Sequence, residues 1–200
     1  MINSELDKVS YCFGVTIAQN MKQQGMFEMN AEVLAKGLGD LLNGNKLLIP
    51  EDKVPGILQS YFKQLQERQF EGNILQGKEF LEENKKRKGV ISLASGLQYE
   101  VLAKGSGPKP KATDHVTTHY HGTLIDGTVF DSSVNRGEPA TFPVNGVIKG
   151  WIEALQLMEI GSKWRVYVPE NLAYGANPHP GGPIQPYSTL IFDIELISIN

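Results

Sequence analysis

The sequence predicts an α+β protein: an all-α first part with a long connecting helix, then an antiparallel β-sheet wrapped around one short helix. Three observations predict it. Apolar residues recur at helical spacing through residues 1–88. From residue 96 onward the period changes to two, in "LQYEVLA", "HVTTHYHGTL", "SKWRVYVP" and "STLIFDIELISI". A single short helical pattern, "GWIEALQLM" at 150–158, interrupts those strands. A sheet must cover its apolar face, and that helix is the only cover this half offers.

The first part divides into three helices. Ser4 with Asp7 forms a capping box ahead of the stripe Leu6, Val9, Phe13, Ile17 and Met21, and Gly25 can end that helix. Asn30 can cap a second helix carrying Leu34, Leu38, Leu41 and Leu42, ended by Gly44. A third is expected from Asp52 to Arg87, with Pro55 in its first turn, where a missing N–H removes no helix bond. That helix would run about 50 Å, and its nearly all-polar stretch "QERQFEGN" reads as a spacer in solvent. The first two helices carry more apolar surface than three helices can hide. A homodimer joined through residues 1–65 would bury the surplus. The expected domains are therefore 1–88, helical and dimerising, and 89–200, the sheet. Asp126-Gly127 marks a hairpin turn between "HVTTHYHGTL" and "TVFDSS".

Composition excludes several classes of function. The net charge is −3 and no Arg/Lys stripe with interleaved aromatics occurs, so nucleic acid is not an expected partner. The run Lys85-Lys86-Arg87-Lys88 follows Glu82 and Glu83 and reads as a solvated helix end. No window supplies the ~20 apolar residues that span a bilayer. The start has no basic segment before an apolar core, so no leader is expected. Cys12 is the only cysteine, which fits a reducing compartment, the cytoplasm.

Hydrolytic and metal chemistry find little support. The sequence contains no G-x-S-x-G, H-E-x-x-H or P-loop. His115, His119 and His121 share one face of a predicted strand, which could form a metal site. The opposite face carries Val116, Thr118 and Tyr120 and should be the core side, so three solvated histidines are the better reading. No metal and no cofactor are expected.

What remains is aromatic and apolar. Tyr120, Phe130, Phe142, Val147, Ile148, Trp151, Tyr174, Ile184 and Phe192 come from every element of the second half. Trp151 begins the short helix beside Gly150, where a large ring can floor a cavity. The loop "YGANPHPGGPIQPY" (174–187) is too polar and stiff for a core and would form a rim.

The motifs "GTLIDGTVFDSS", "FPVNGVIKGWIEALQLM", "GSKW", "AYGANPHPGGPI" and "STLIFDIELI" resemble the FKBP-type peptidyl-prolyl cis-trans isomerases. A helical part ahead of such a domain, with "AKGLGDLL" and "FLEENKK", is similar to the bacterial Mip/FklB-like subgroup. The resemblance implies a dimeric isomerase that accelerates Xaa-Pro isomerisation in unfolded or nascent proteins and takes macrolides of the FK506 and rapamycin type. The alternative is a proline-peptide-binding holdase or scaffold whose turnover is incidental.

By the same resemblance, Tyr120, Phe130, Asp131, Val147, Ile148, Trp151, Tyr174, His179, Ile184 and Phe192 fall on pocket positions. Phe142 joins them from the aromatic grouping. Arg136 would brace the Asp131 loop. The catalytic set would be Asp131, Tyr174, Ile148 and Trp151, with the Ile148 N–H and the Tyr174 hydroxyl holding substrate carbonyls. Two roles fit Asp131: polarising the twisted amide, or orienting Tyr120 and Arg136. Ala140 stands where many single-domain members carry phenylalanine, and the rim between His179 and Ile184 is one residue longer than theirs.

Overall fold

A computed structural model describes residues 2–200. Its contacts divide the chain into two units, one ending at Leu65 and the other running Gln66–Asn200.

The first unit contains α1 (Glu5–Gln23), α2 (Ala31–Leu42) and most of α3 (Val54–Gln69). The expected caps are present. The Ser4 hydroxyl accepts the Asp7 N–H at 3.0 Å, and the Asp7 carboxylate accepts the Ser4 N–H at 2.9 Å. The Asn30 side chain accepts the N–H groups of Glu32 and Val33. The apolar stripes find little cover within the chain. No residue of α1 is buried, and α2 buries only Asp40. No helix among the described residues is long and apolar enough to cross a membrane.

The single helix expected from Asp52 to Arg87 is two. α3 stops at Gln69, Phe70 leaves the helical region, and α4 runs Glu71–Asn84. The polar stretch read as a spacer, 66–73, spans that break, and α4 beyond it packs on the sheet rather than standing in solvent. Phe80 packs its ring on Tyr167, with centroids 5.9 Å apart. Asn84 donates to the Gln98 side chain at 2.8 Å, and Gln98 donates to the carbonyl of Leu81 at 2.9 Å. Phe80 and Asn84, one helical turn apart, hold α4 to the sheet, and the contact division places α4 with it.

The second unit adds a fully antiparallel seven-stranded sheet: β1 (Val90–Ser92), β2 (Gln98–Ala103), β3 (His115–Leu124), β4 (Val129–Ser132), β5 (Ala140–Pro143), β6 (Lys163–Val168) and β7 (Leu190–Ile199). The order is β1-β2-β6-β7-β3-β4, with β5 also on β3. The four strands read from alternation are β2, β3, β6 and β7. β1 and β5 were not legible, being three and four residues long. The turn at Asp126-Gly127 joins β3 to β4, with Gly127 at φ 88° and Asp126 accepting the Thr128 N–H.

The core lies between the sheet and α6 (Lys149–Leu155). Val116 and Thr118 of β3 face it, as alternation requires. Gly150 lets α6 approach the sheet closely. A Cβ there would sit 2.5 Å from a Val168 methyl and 3.2 Å from Leu97. That close approach sinks the first turn of α6 and brings Trp151 into the core at 5% exposure.

Candidate active site

A cavity of about 610 Å³ opens above the start of α6. Trp151 lies at its base. The rings of Tyr120 (β3), Phe142 (β5) and Phe192 (β7) surround the indole, with centroids 5.4, 5.5 and 5.1 Å away. Phe130 of β4 stands edge-on to Phe192 at 5.4 Å. Two edge-to-face contacts on the indole, from Tyr120 and Phe192, each favoured by the ring quadrupoles, fix its orientation. Val147 and Ile148 complete the wall from the turn before α6, and Tyr174, His179 and Ile184 line the mouth.

Eleven of the twelve residues singled out from the sequence therefore line one cavity. The twelfth, Arg136, closes a polar triangle at its edge. Tyr120 Oη donates to Asp131 Oδ2 at 2.5 Å, Arg136 Nη1 donates to Asp131 Oδ1, and Arg136 Nη2 donates to Tyr120 Oη at 2.9 Å. The guanidinium carbon also lies 5.6 Å from the centre of the Tyr120 ring. Both carboxylate oxygens of Asp131 are thus engaged. Arg136 is carried by the one-turn helix α5 (Ser133–Arg136), which the Ser132 hydroxyl caps by accepting the Asn135 N–H.

Burial pushes the Asp131 carboxyl upward, but hydrogen bonds from Tyr120 and Arg136 outweigh it and hold it below the usual carboxylate value of 3.8. Burial raises the Tyr120 phenol above its ordinary 10.0, and its bond to Asp131 adds to that. Burial, then the Asp131 charge, raises Tyr174 as well. At neutral pH the site holds one ionised carboxylate and two intact phenols.

Two hydrogen-bond donors remain available at the cavity. The Tyr174 hydroxyl carries no hydrogen bond to another described residue. Ile148 is the N-cap of α6, and its backbone N–H has no acceptor among the described residues.

Four further lining residues complete the cavity: Ala140, Gly146, Gly182 and Pro183. Gly182-Pro183 belongs to the rim loop whose composition already marked it. Gly146 precedes Val147-Ile148 in the quoted motif but carries no side chain to signal a role. Of the three histidines, His115 is exposed as expected. His119 and His121 are half-buried, and their Nδ1 atoms lie 3.1 and 3.0 Å from the hydroxyls of Ser133 and Ser132. They tie β3 to the α5 turn on the face opposite the core.

Comparison with known proteins agrees with this geometry. Residues 107–197 match the family model described as FKBP-type peptidyl-prolyl cis-trans isomerase. Residues 6–101 match the domain amino terminal to FKBP-type peptidyl-prolyl isomerase. The chain is 46% identical over 206 residues to the outer membrane protein MIP of Legionella longbeachae, covering 100% of this chain and 88% of that protein. It is 46% identical over 195 residues to the FKBP-type 22 kDa peptidyl-prolyl cis-trans isomerase of Escherichia coli K12, covering 96% and 94%. The crystal structure of FkpA from Escherichia coli is similar with a TM-score of 0.64 at 33% identity, covering 100% of this chain and 99% of that one. With identities of this size over essentially the whole length, the chain belongs to the FKBP-type peptidyl-prolyl cis-trans isomerases.

Proposed function

We propose that the cavity catalyses Xaa-Pro isomerisation without covalent chemistry, by taking the prolyl amide out of water. Resonance gives a peptide C–N bond a rotation barrier of about 18–20 kcal/mol. For Xaa-Pro both isomers are populated, yet exchange takes tens of seconds or more. The planar amide is dipolar and well hydrated; the twisted transition state has lost resonance and is less dipolar. A dry site therefore raises the ground state more than the transition state, and only such a difference accelerates a reaction.

The observation that carries this reading is the make-up of the cavity. Its base and walls are Trp151, Phe130, Phe142, Phe192, Val147 and Ile148, and its single carboxylate has both oxygens engaged. Such a carboxylate is poorly placed to act as a general base. The pyrrolidine ring would lie on Trp151. The Ile148 N–H and the Tyr174 hydroxyl would hold carbonyls of the bound peptide. Asp131 would orient Tyr120 and set the local field. The test is proline isomerisation of a tetrapeptide with and without a macrolide of the FK506 or rapamycin type. Turnover that the macrolide suppresses supports the reading; turnover that it leaves untouched removes the cavity from the reaction.

The helical part extends the proposal to a homodimer joined through residues 1–65. Leu6, Phe13, Val33, Leu41 and Leu42 are 75%, 65%, 61%, 63% and 83% exposed, far more apolar surface than a lone unit of this size keeps in water. Two cavities on one dimer would bind an unfolded or nascent chain at two prolines, with affinity gained through effective concentration. A holdase with incidental turnover is the alternative, and it predicts that client aggregation is suppressed equally when the cavity is blocked. The lone Cys12 supports the cytoplasm as the compartment. Sedimentation of a monomer at micromolar concentration would remove the dimer.

A further inference from the structure

We propose that α4 is part of the catalytic apparatus, as the clamp that positions the rim loop of the cavity, with Asn73 and Gly77 as its positioning residues. The inference deepens the reading of the cavity as the prolyl site and rests on it.

The rim loop leaves β-structure before Tyr174 and returns at β7. Its neck closes where the Tyr187 N–H donates to the carbonyl of Gly175 at 2.8 Å. Between those two residues lie His179, Gly182, Pro183 and Ile184, all of which line the cavity. The foot of the loop on the β7 side is Pro186–Thr189, and two residues of α4 meet it. Asn73 Nδ2 donates to the Pro186 carbonyl at 2.9 Å. Gly77 is buried against Thr189: a Cβ at 77 would collide with Thr189 Oγ1 and lie 3.4 Å from Thr189 Cβ. Thr189 is itself only 4% exposed.

Between these contacts sits a residue in an unfavourable conformation. Tyr187 is the only non-glycine residue with positive φ among those described, at 61°. A bulky side chain holds such a backbone only where its surroundings over-determine it. Tyr187 is 6% exposed, and its hydroxyl has no hydrogen-bond partner among the described residues. It therefore cannot be held in place by a side-chain hydrogen bond. The grip comes from its neighbours, Pro186 held by Asn73 and Thr189 pressed against Gly77. The direction in which the loop leaves Tyr187 sets where Ile184 and His179 stand over the cavity. A glycine in the middle of a helix is unfavourable, and at Gly77 it is what the close approach requires.

Helix stability and clamping can be separated because α4 carries a second glycine. Gly72 has nothing within 4 Å of a would-be Cβ, so Gly72→Ala changes helix propensity alone. In the full chain we compare Gly72→Ala, Gly77→Ala, Asn73→Ala, Thr189→Ala and the double variant Gly77→Ala/Thr189→Ala. The measurements are kcat and KM for an Xaa-Pro tetrapeptide at equal folded fraction, and amide hydrogen exchange at Tyr187. Gly77→Ala and Asn73→Ala are expected to raise KM about threefold to tenfold, with kcat little changed, and to speed Tyr187 exchange. Gly72→Ala should change neither. Removing Thr189 Oγ1 opens the contact to 3.4 Å, so the double variant should recover KM to near that of Thr189→Ala alone.

Parent-like KM in both Gly77→Ala and Asn73→Ala overturns the proposal, even if exchange quickens. If Gly77→Ala does not fold, Asn73→Ala decides alone. A parent without macrolide-sensitive turnover refutes the assignment of the cavity instead, and Tyr187 exchange then still decides whether the clamp exists.

Discussion

Replacing Trp151 by phenylalanine should separate the stability of the fold from the function of the cavity. The indole is 5% exposed, and its Nε1 is buried without a hydrogen-bond partner among the described residues. Going from indole to phenyl removes about 40 Å³, which at ~24 cal/mol per Å³ of residual cavity costs about 1 kcal/mol, and the lost burial of the extra apolar atoms costs about 1 kcal/mol more. Removing the orphaned N–H returns about 1–3 kcal/mol, the penalty of a buried donor left unpaired. The effects oppose, and their sum lies within about 1 kcal/mol of neutral. The melting temperature should stay within about 4 °C of the parent. Catalysis should fall regardless. A smaller floor forfeits about 30 Å² of contact with the pyrrolidine ring, about 0.75 kcal/mol, or roughly a threefold fall in kcat/KM. Thermal unfolding and a tetrapeptide isomerisation assay on the same preparation read both. A fall in melting temperature of more than about 4 °C would show that the lost packing outweighs the orphaned donor. Undiminished kcat/KM would show that the prolyl ring does not rest on residue 151.

Other perturbations test the remaining parts. Asp131→Ala removes the acceptor shared by Tyr120 and Arg136; the Asp131 and Arg136 side chains are 44% and 52% exposed, so the stability cost should be about 1 kcal/mol or less, and a larger drop in kcat/KM at equal folded fraction would assign Asp131 to catalysis. Because Asp131 is held below 3.8 when folded, its contribution is present above the unfolded value and lost as pH falls through the folded one. Melting temperature should therefore drop below about pH 4 in the parent and less so in Asp131→Asn. With Asp131 below that range and Tyr120 and Tyr174 above 10.0, kcat/KM should be level from about pH 5 to 9; a bell-shaped profile would contradict the assignment of protonation states. Gly150→Ala should destabilise by about 1–3 kcal/mol through overpacking, since the new Cβ would sit 2.5 Å from Val168. Phe13→Asp, at a side chain 65% exposed, should convert a dimer to a monomer in sedimentation while leaving tetrapeptide turnover at the parent level.

Much of the cavity was legible because its parts are large and its strands alternate. Val116 and Thr118 fixed which face of β3 points inward, which put Tyr120 on the cavity side and the histidines on the other. The Asp126-Gly127 turn placed Phe130 and Asp131 on the neighbouring strand. The rim announced itself through four prolines and three glycines. The seat of α4 was not legible, for a physical reason. Apart from Phe80 on Tyr167, its contacts are made by Asn73, Gly77 and Asn84, residues that carry no hydrophobic signal, so hydrogen bonds and close approach did much of what an apolar stripe does elsewhere. The break at Phe70 has no proline or glycine at that position to mark it. β5 escaped because four residues are too few to establish a period, and its role came only from pairing with β3. The serine partners of His119 and His121 follow from the β3–β4 register, which pairs His121 with Ser132.

The central claim is that a prolyl amide turns in this cavity because it has been stripped of water, with no proton moved by the protein. The most direct test is kcat/KM for a tetrapeptide measured in H₂O and in D₂O. If rotation alone limits the chemical step, the two rates should agree within about 20%, as expected when no proton is in flight. A fall of about twofold or more in D₂O would mean that a group such as Tyr120 or Tyr174 transfers a proton in the transition state, and desolvation would no longer account for the catalysis.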